Sequence, residues 1–118
     1  VTKYYYDNAV VHFICDKDLN GYDEIQGMII SFLASVPNGS FEVERVTCTD
    51  RPNEDGYDVA VRWRLRGINE GIGFFGPLDI MGINHYHVLN GKVKEEWMTF
   101  DGLDVLKQMA MGSDEQEE

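Results

Sequence analysis

Cysteine is scarce in this chain, basic residues are outnumbered, and long apolar runs are missing. Each of these shortages excludes something. Two cysteines in 118 residues, Cys15 and Cys48, with no CxxC spacing, make neither a disulfide scaffold nor a metal knuckle. They read as two buried free thiols in a reducing compartment, which places the protein in the cytoplasm. Ten basic residues stand against 21 acidic ones, for a formal charge of -11. No basic stripe is available to collect phosphates, so a nucleic-acid partner is not expected. No apolar run approaches the roughly 18 residues of a membrane span, and no signal peptide is visible, so no membrane partner is expected either. The chain opens on Val1 rather than Met. The expectation is that the start was processed away or that residues precede it.

What is present is a core. Apolar residues make up 43% of the chain, too many for a disordered or low-complexity body. The length suits one domain, and the 12 glycines suit short strands joined by tight turns. The boundaries read as one domain over 1–111 and an acidic tail over 112–118, which carries Asp114, Glu115, Glu117 and Glu118. The rest of the chain remains acidic without them.

Along the chain, Tyr4 to Tyr6 read as the close of a helix begun upstream. Ala9 to Cys15 is a short strand rich in β-branched and aromatic residues, and Asp16 to Gly21 is turn chemistry. The spacing of Ile25, Met28, Ile29, Phe32 and Leu33 predicts a helix over Tyr22 to Ala34, with Asn20 as N-cap and Asp23 completing a capping-box-like contact. It stops before Pro37-Asn38-Gly39. Strands follow at Phe41 to Thr49 and Asp58 to Arg66. In the second, Val59, Val61, Trp63 and Leu65 share one face and Arg62, Arg64 and Arg66 the other. After a glycine-rich excursion from Ile68 to Pro77, Leu78 to Leu89 and Lys92 to Phe100 flank Asn90-Gly91, a strong hairpin signal. A short helix over Leu103 to Met111 closes the fold. The pattern predicts an α+β domain with a curved, mainly antiparallel sheet wrapped around helices, a cone holding an apolar pocket, with the long helix on its concave side.

An unbulged two-residue turn would set Asn84 opposite Trp97, Tyr86 opposite Glu95 and His85 opposite Glu96. On that register Asn84, Tyr86, Val88, Val93, Glu95, Trp97, Thr99 and Asp101 share the pocket face. Trp97, Tyr86 and Trp63 supply contact area; Asn84 and Asp101 supply polar handles. A carboxyl beside aromatics is suited to acid/base work, so Asp101 is the catalytic candidate. It also stands two residues before Leu103, where it would cap the last helix. Trp97 is read equally as plain core. One extra residue between Lys92 and Trp97 would swap the faces beyond it. His85 and His87 fall on the charged side, with no third ligand, so no metal site is expected. His12 is isolated and reads as structural. Arg62, Arg64, Arg66, His85 and His87 mixed with Leu89, Met98 and Phe100 make an outer face suited to a homodimer.

The segment from Ile80 to Met109 resembles the C-terminal signature of SnoaL-like proteins, in the nuclear-transport-factor-2-like superfamily. The matching residues are Asn90-Gly91-Lys92-Val93, Glu95, Trp97, Asp101, Leu103, Leu106, Gln108 and Met109. The segment from Asp7 to Ile25 is similar to the family's first strand and the approach to its third helix. The resemblance implies an α+β cone and a small apolar ligand. It also implies a cyclase or isomerase acting on a carbonyl compound without a cofactor, or a non-catalytic ligand-binding or dimerisation module. It places the cyclase histidine at Asn84 and the catalytic aspartate at Met98, neither of which is kept. It also implies helices ahead of the first strand, for which this chain has little room.

Overall fold

The computed structural model describes residues 3–13, 17–36, 38–69, 76–101, 103–105 and 107–108. Cys15, the middle of the glycine-rich excursion and everything from Met109 on, the acidic tail included, lie outside the described residues. Strands β1 (Tyr5–Phe13), β2 (Leu19–Asn20), β3 (Ser40–Asp50), β4 (Tyr57–Asn69), β5 (Gly76–Leu89) and β6 (Lys92–Phe100) form one sheet. Their order is β2-β1-β6-β5-β4-β3. All neighbours are antiparallel except β1 and β6, which run parallel. The sheet is curved and open, and one long helix, α1 (Gly21–Ser35), lies against it. This is the α+β architecture expected. Among the described residues no helix is long and apolar enough to cross a membrane.

The Tyr4 to Tyr6 expectation is corrected. Tyr5 and Tyr6 open β1 rather than closing a helix. The Tyr6 hydroxyl donates to the Leu89 carbonyl at 2.9 Å, and the Tyr5 hydroxyl reaches Glu96. Strand pairing with β6 outweighs any local preference of the aromatic cluster. At the start of α1, Asn20 is the N-cap residue, but its side chain makes no cap bond. Its N–H instead donates to Glu24 Oε1 at 3.2 Å, so Glu24 rather than Asp23 makes the return contact.

The helix packs by its apolar stripe. Ile25 is buried with Ala9 and Val11, and Ile29 packs beside them. Phe32 packs on a second cluster of Val36, Trp63, Leu65, Leu78 and Ile80. Both clusters lie on the concave side, as the stripe predicts. The opposite face of β4 is an ion-pair ladder. Arg62 and Arg64 both reach Glu44, Arg64 also reaches Asp79, and Arg66 reaches Glu42.

The β5–β6 hairpin departs from the unbulged register. Asn90 and Gly91 both have positive φ, 52° and 79°, the twist that a two-residue turn needs. Leu89 pairs with Lys92 and Val88 with Val93, but His87 pairs with Glu95. Lys94 is the extra residue. Beyond it Tyr86 pairs with Glu96, His85 with Trp97, Asn84 with Met98 and Gly82 with Phe100. Because side chains alternate along a strand, one inserted residue turns every later side chain of β6 to the other face.

Candidate functional site

The bulge decides what faces the concave side. Glu96, Met98 and Phe100 of β6 join Asn84 and Tyr86 of β5, Trp63 and Leu65 of β4, Tyr5 of β1, and Met28, Ile29 and Phe32 of α1 around a cavity of about 330 Å³. The lining is overwhelmingly apolar. Phe41 of β3 stacks on Trp63 with ring centroids 5.6 Å apart. Met98 and Phe100, expected on the outer face, are here.

The polar groups sit together. Glu96 is only 2% exposed. Its Oε1 accepts the Tyr5 hydroxyl at 2.6 Å, and its Oε2 accepts the Asn84 amide at 3.2 Å. Asn84 is itself buried. Its Oδ1 accepts the Trp63 indole N–H at 3.0 Å, and its Nδ2 is 3.1 Å from the Tyr86 hydroxyl. Burial pushes the Glu96 carboxyl above its ordinary range, against the opposing pull of the Tyr5 hydrogen bond. Desolvation, with the neighbouring Glu96 charge, pushes the Tyr86 hydroxyl up to about 12 and raises Tyr5 as well. A carboxyl held this way binds a proton more tightly than one in water, which makes its anion a stronger base.

Of the residues named from the sequence, Asn84, Tyr86 and Trp63 line this cavity. Trp97 and Asp101 do not. Trp97 lies on the outer face, where it stacks against His12 at 5.4 Å and His85 at 5.3 Å. Asp101 is exposed, and its Oδ1 accepts the Asp104 N–H at 3.0 Å, the capping arrangement. The placement of Trp97 follows from the Lys94 bulge, and Asp101 stands just past the end of β6. The residue missed from sequence is Glu96, with its partner Tyr5. The signal for the swap lies in β6 itself. Val93, Met98 and Phe100 share no single alternation, as an inserted residue between them requires.

On the outer face, His12 is not isolated. Nδ1 lies 3.1 Å from Asp18 and Nε2 lies 2.5 Å from Glu95. Glu95 first, then Asp18, raises its pKa. His87 is buried rather than solvated, with Nε2 donating to the Asp55 carbonyl at 2.8 Å. Among the described residues no group of three His, Cys, Asp or Glu is placed to hold a metal ion.

The matches to known proteins agree with this fold. Residues 1–109 match the SnoaL-like polyketide cyclase family. The chain belongs to that family. A SnoaL-like protein from Jannaschia sp. superposes with a TM-score of 0.77 at 19% identity, covering 92% of this chain and 75% of that one. AclR from Streptomyces galilaeus gives 0.71 at 18% identity, covering 92% and 80%. A protein with a ketosteroid isomerase-like fold from Catenulispora acidiphila, in complex with trimethylamine, gives 0.72 at 14%, covering 93% and 79%. No curated protein sequence matches. At these identities the neighbours show the fold of this SnoaL-like chain and not its reaction.

Proposed function

We propose that this SnoaL-like domain binds a small, apolar, uncharged carbonyl compound and moves a proton next to its carbonyl, with Glu96 as the acid/base. The observation that carries the reading is a carboxyl almost wholly removed from water, lining an apolar cavity of about 330 Å³. The Glu96 anion takes a proton from the carbon beside the carbonyl. The C–H bond breaks and its electron pair moves onto oxygen as an enolate. Return of the proton to a different carbon completes an isomerisation. Attack of the enolate carbon on a second carbonyl closes a ring, and Glu96 then returns the proton to the new alkoxide. In this reading Asp101 is a helix cap, and Trp97 lies outside the ligand site.

The test is hydrogen exchange at the α-carbon of 2-tetralone in deuterated water, followed by proton NMR. The wild type should accelerate exchange over buffer, and Glu96→Gln should lose about 10²–10⁴-fold of that acceleration. Binding of 2-tetralone with no accelerated exchange would replace this reading with a non-catalytic ligand-binding module. A homodimer through the outer sheet face belongs to the same proposal. Half-exposed Met81 and Ile83 beside the Arg62–Arg66 ladder support it. Equilibrium sedimentation showing only monomer at micromolar concentration would remove it.

A further inference from the structure

We infer that Tyr86 is the group that seats the ligand's oxygen, and that Asn84, locked by Trp63, turns the Tyr86 hydroxyl proton toward it. The inference deepens the reading above and starts from hydrogen-bond accounting. The Trp63 indole N–H can only donate. Its 3.0 Å contact therefore assigns the facing Asn84 atom as the carbonyl oxygen and leaves both amide hydrogens on the far side. One of them goes to Glu96 Oε2 and the other to the Tyr86 oxygen. The amide's donors are then spent. Glu96 accepts on both oxygens, from Tyr5 and from Asn84. The Tyr5 hydroxyl proton is spent on Glu96 as well. Tyr86 is different: its oxygen accepts from Asn84, and among the described residues its own O–H has no acceptor. Of these five linked side chains, it alone has a proton left to give.

That proton belongs to a side chain that lines the cavity. A ligand oxygen placed on it also lies beside Glu96, the far partner of the same amide. A carbonyl accepts there in the ground state and accepts more strongly as an enolate, where charge has built up on oxygen. Among the described residues no Lys, Arg or His lines the cavity, so carboxylate and phosphate ligands would meet Glu96 with no described cation to balance their charge. The site selects an uncharged hydrogen-bond acceptor on an apolar frame. Tyr86 touches that oxygen directly. Asn84 and Trp63 are positioning residues.

The experiment uses 2-tetralone and naphthalene as paired probes of the same shape class, one with an oxygen and one without. In the wild type the bound ketone's C=O infrared stretch should lie below its position in hydrocarbon solvent. In Tyr86→Phe it should return toward that position, with 2-tetralone affinity down about tenfold and naphthalene affinity unchanged. In Glu96→Gln the lowered stretch should persist. Trp63→Phe, which frees the Asn84 amide to turn, should weaken the shift without abolishing naphthalene binding. An identical stretch in wild type and Tyr86→Phe would overturn the inference, as would equal losses of both probes, since Tyr86 would then act by shape alone. The stretch and the α-exchange assay fail independently. A shift without exchange leaves Tyr86 in place and removes the acid/base reading; exchange without a Tyr86-dependent shift does the reverse.

Discussion

Gly82 is the position on which the whole polar cluster rests, and Gly82→Ala tests that directly. Gly82 pairs with Trp63 on one side and Phe100 on the other, and the indole lies across it. A Cβ built there would come within 2.8 Å of the Thr99 carbonyl oxygen and closer still to ring carbons Cζ2 and Cε2 of Trp63. The backbone oxygen cannot give way cheaply, so the ring must move. Overpacking of this kind costs about 1–3 kcal/mol, and loss of the Trp63–Asn84 hydrogen bond adds about 0.5–1.5 kcal/mol. The expected total is about 2–4 kcal/mol out of roughly 5–15 kcal/mol for a domain this size. In urea that corresponds to a midpoint lowered by about 1–2 M, read by far-ultraviolet circular dichroism so that the moving indole does not bias the signal. Gly27→Ala is the internal comparison. Gly27 is exposed on α1 with nothing within 4 Å of its would-be Cβ, so the same substitution should stabilise by about 0.5–1 kcal/mol through helix propensity alone. A Gly82→Ala midpoint within about 0.3 M of wild type would refute the packing of Trp63 on Gly82. The assignment of the Asn84 amide would fall with it.

Two further outcomes are expected. Met98→Ala should weaken 2-tetralone binding severalfold, because Met98 lines the cavity. Trp97→Ala should leave it unchanged while costing about 1–3 kcal/mol of stability from its two ring contacts; calorimetric titration of both variants showing the opposite ranking would mean that β6 has no bulge. Glu96→Gln should alter how stability depends on pH. The folded-state pKa of Glu96 is raised above its ordinary 4.5, so its contribution is fully present below that value and is lost as pH rises through the folded value. The wild type should therefore lose stability relative to Glu96→Gln as pH rises above 4.5, with the His12 contribution cancelling in the difference; a difference that stays flat above that pH would show that Glu96 is not desolvated.

Much of the fold was legible because local chemistry and global pattern agreed. Asn90-Gly91 announced its hairpin, the alternation in β4 separated Trp63 and Leu65 from the arginines, and the Ile25 to Leu33 stripe placed α1 on the concave side. Leu33 remains 63% exposed because the stripe faces an open cavity rather than a filled core. The start of β1 was not legible. Three consecutive tyrosines carry no period, and what makes Tyr5 and Tyr6 strand is parallel pairing with β6, late in the chain.

The candidate site turned on a single residue. Carried outward from the turn, strict alternation puts Glu95, Trp97 and Asp101 inside; with Lys94 looped out of the count, Glu96, Met98 and Phe100 take their place. Composition favoured the wrong answer, since a tryptophan is a better core residue than a glutamate. Yet Trp97 finds burial of a different kind, held between the rings of His12 and His85. Glu96 has both carboxyl oxygens engaged by Tyr5 and Asn84, and this makes its burial tolerable. Neither compensation is visible in the run Lys92 to Trp97, because every partner lies on another strand. The bulge is therefore more than an irregularity in the hairpin. It exchanges Glu95, Trp97 and Asp101 for Glu96, Met98 and Phe100 along the apolar cavity, and so decides which carboxyl is there to bear the proposed proton transfer.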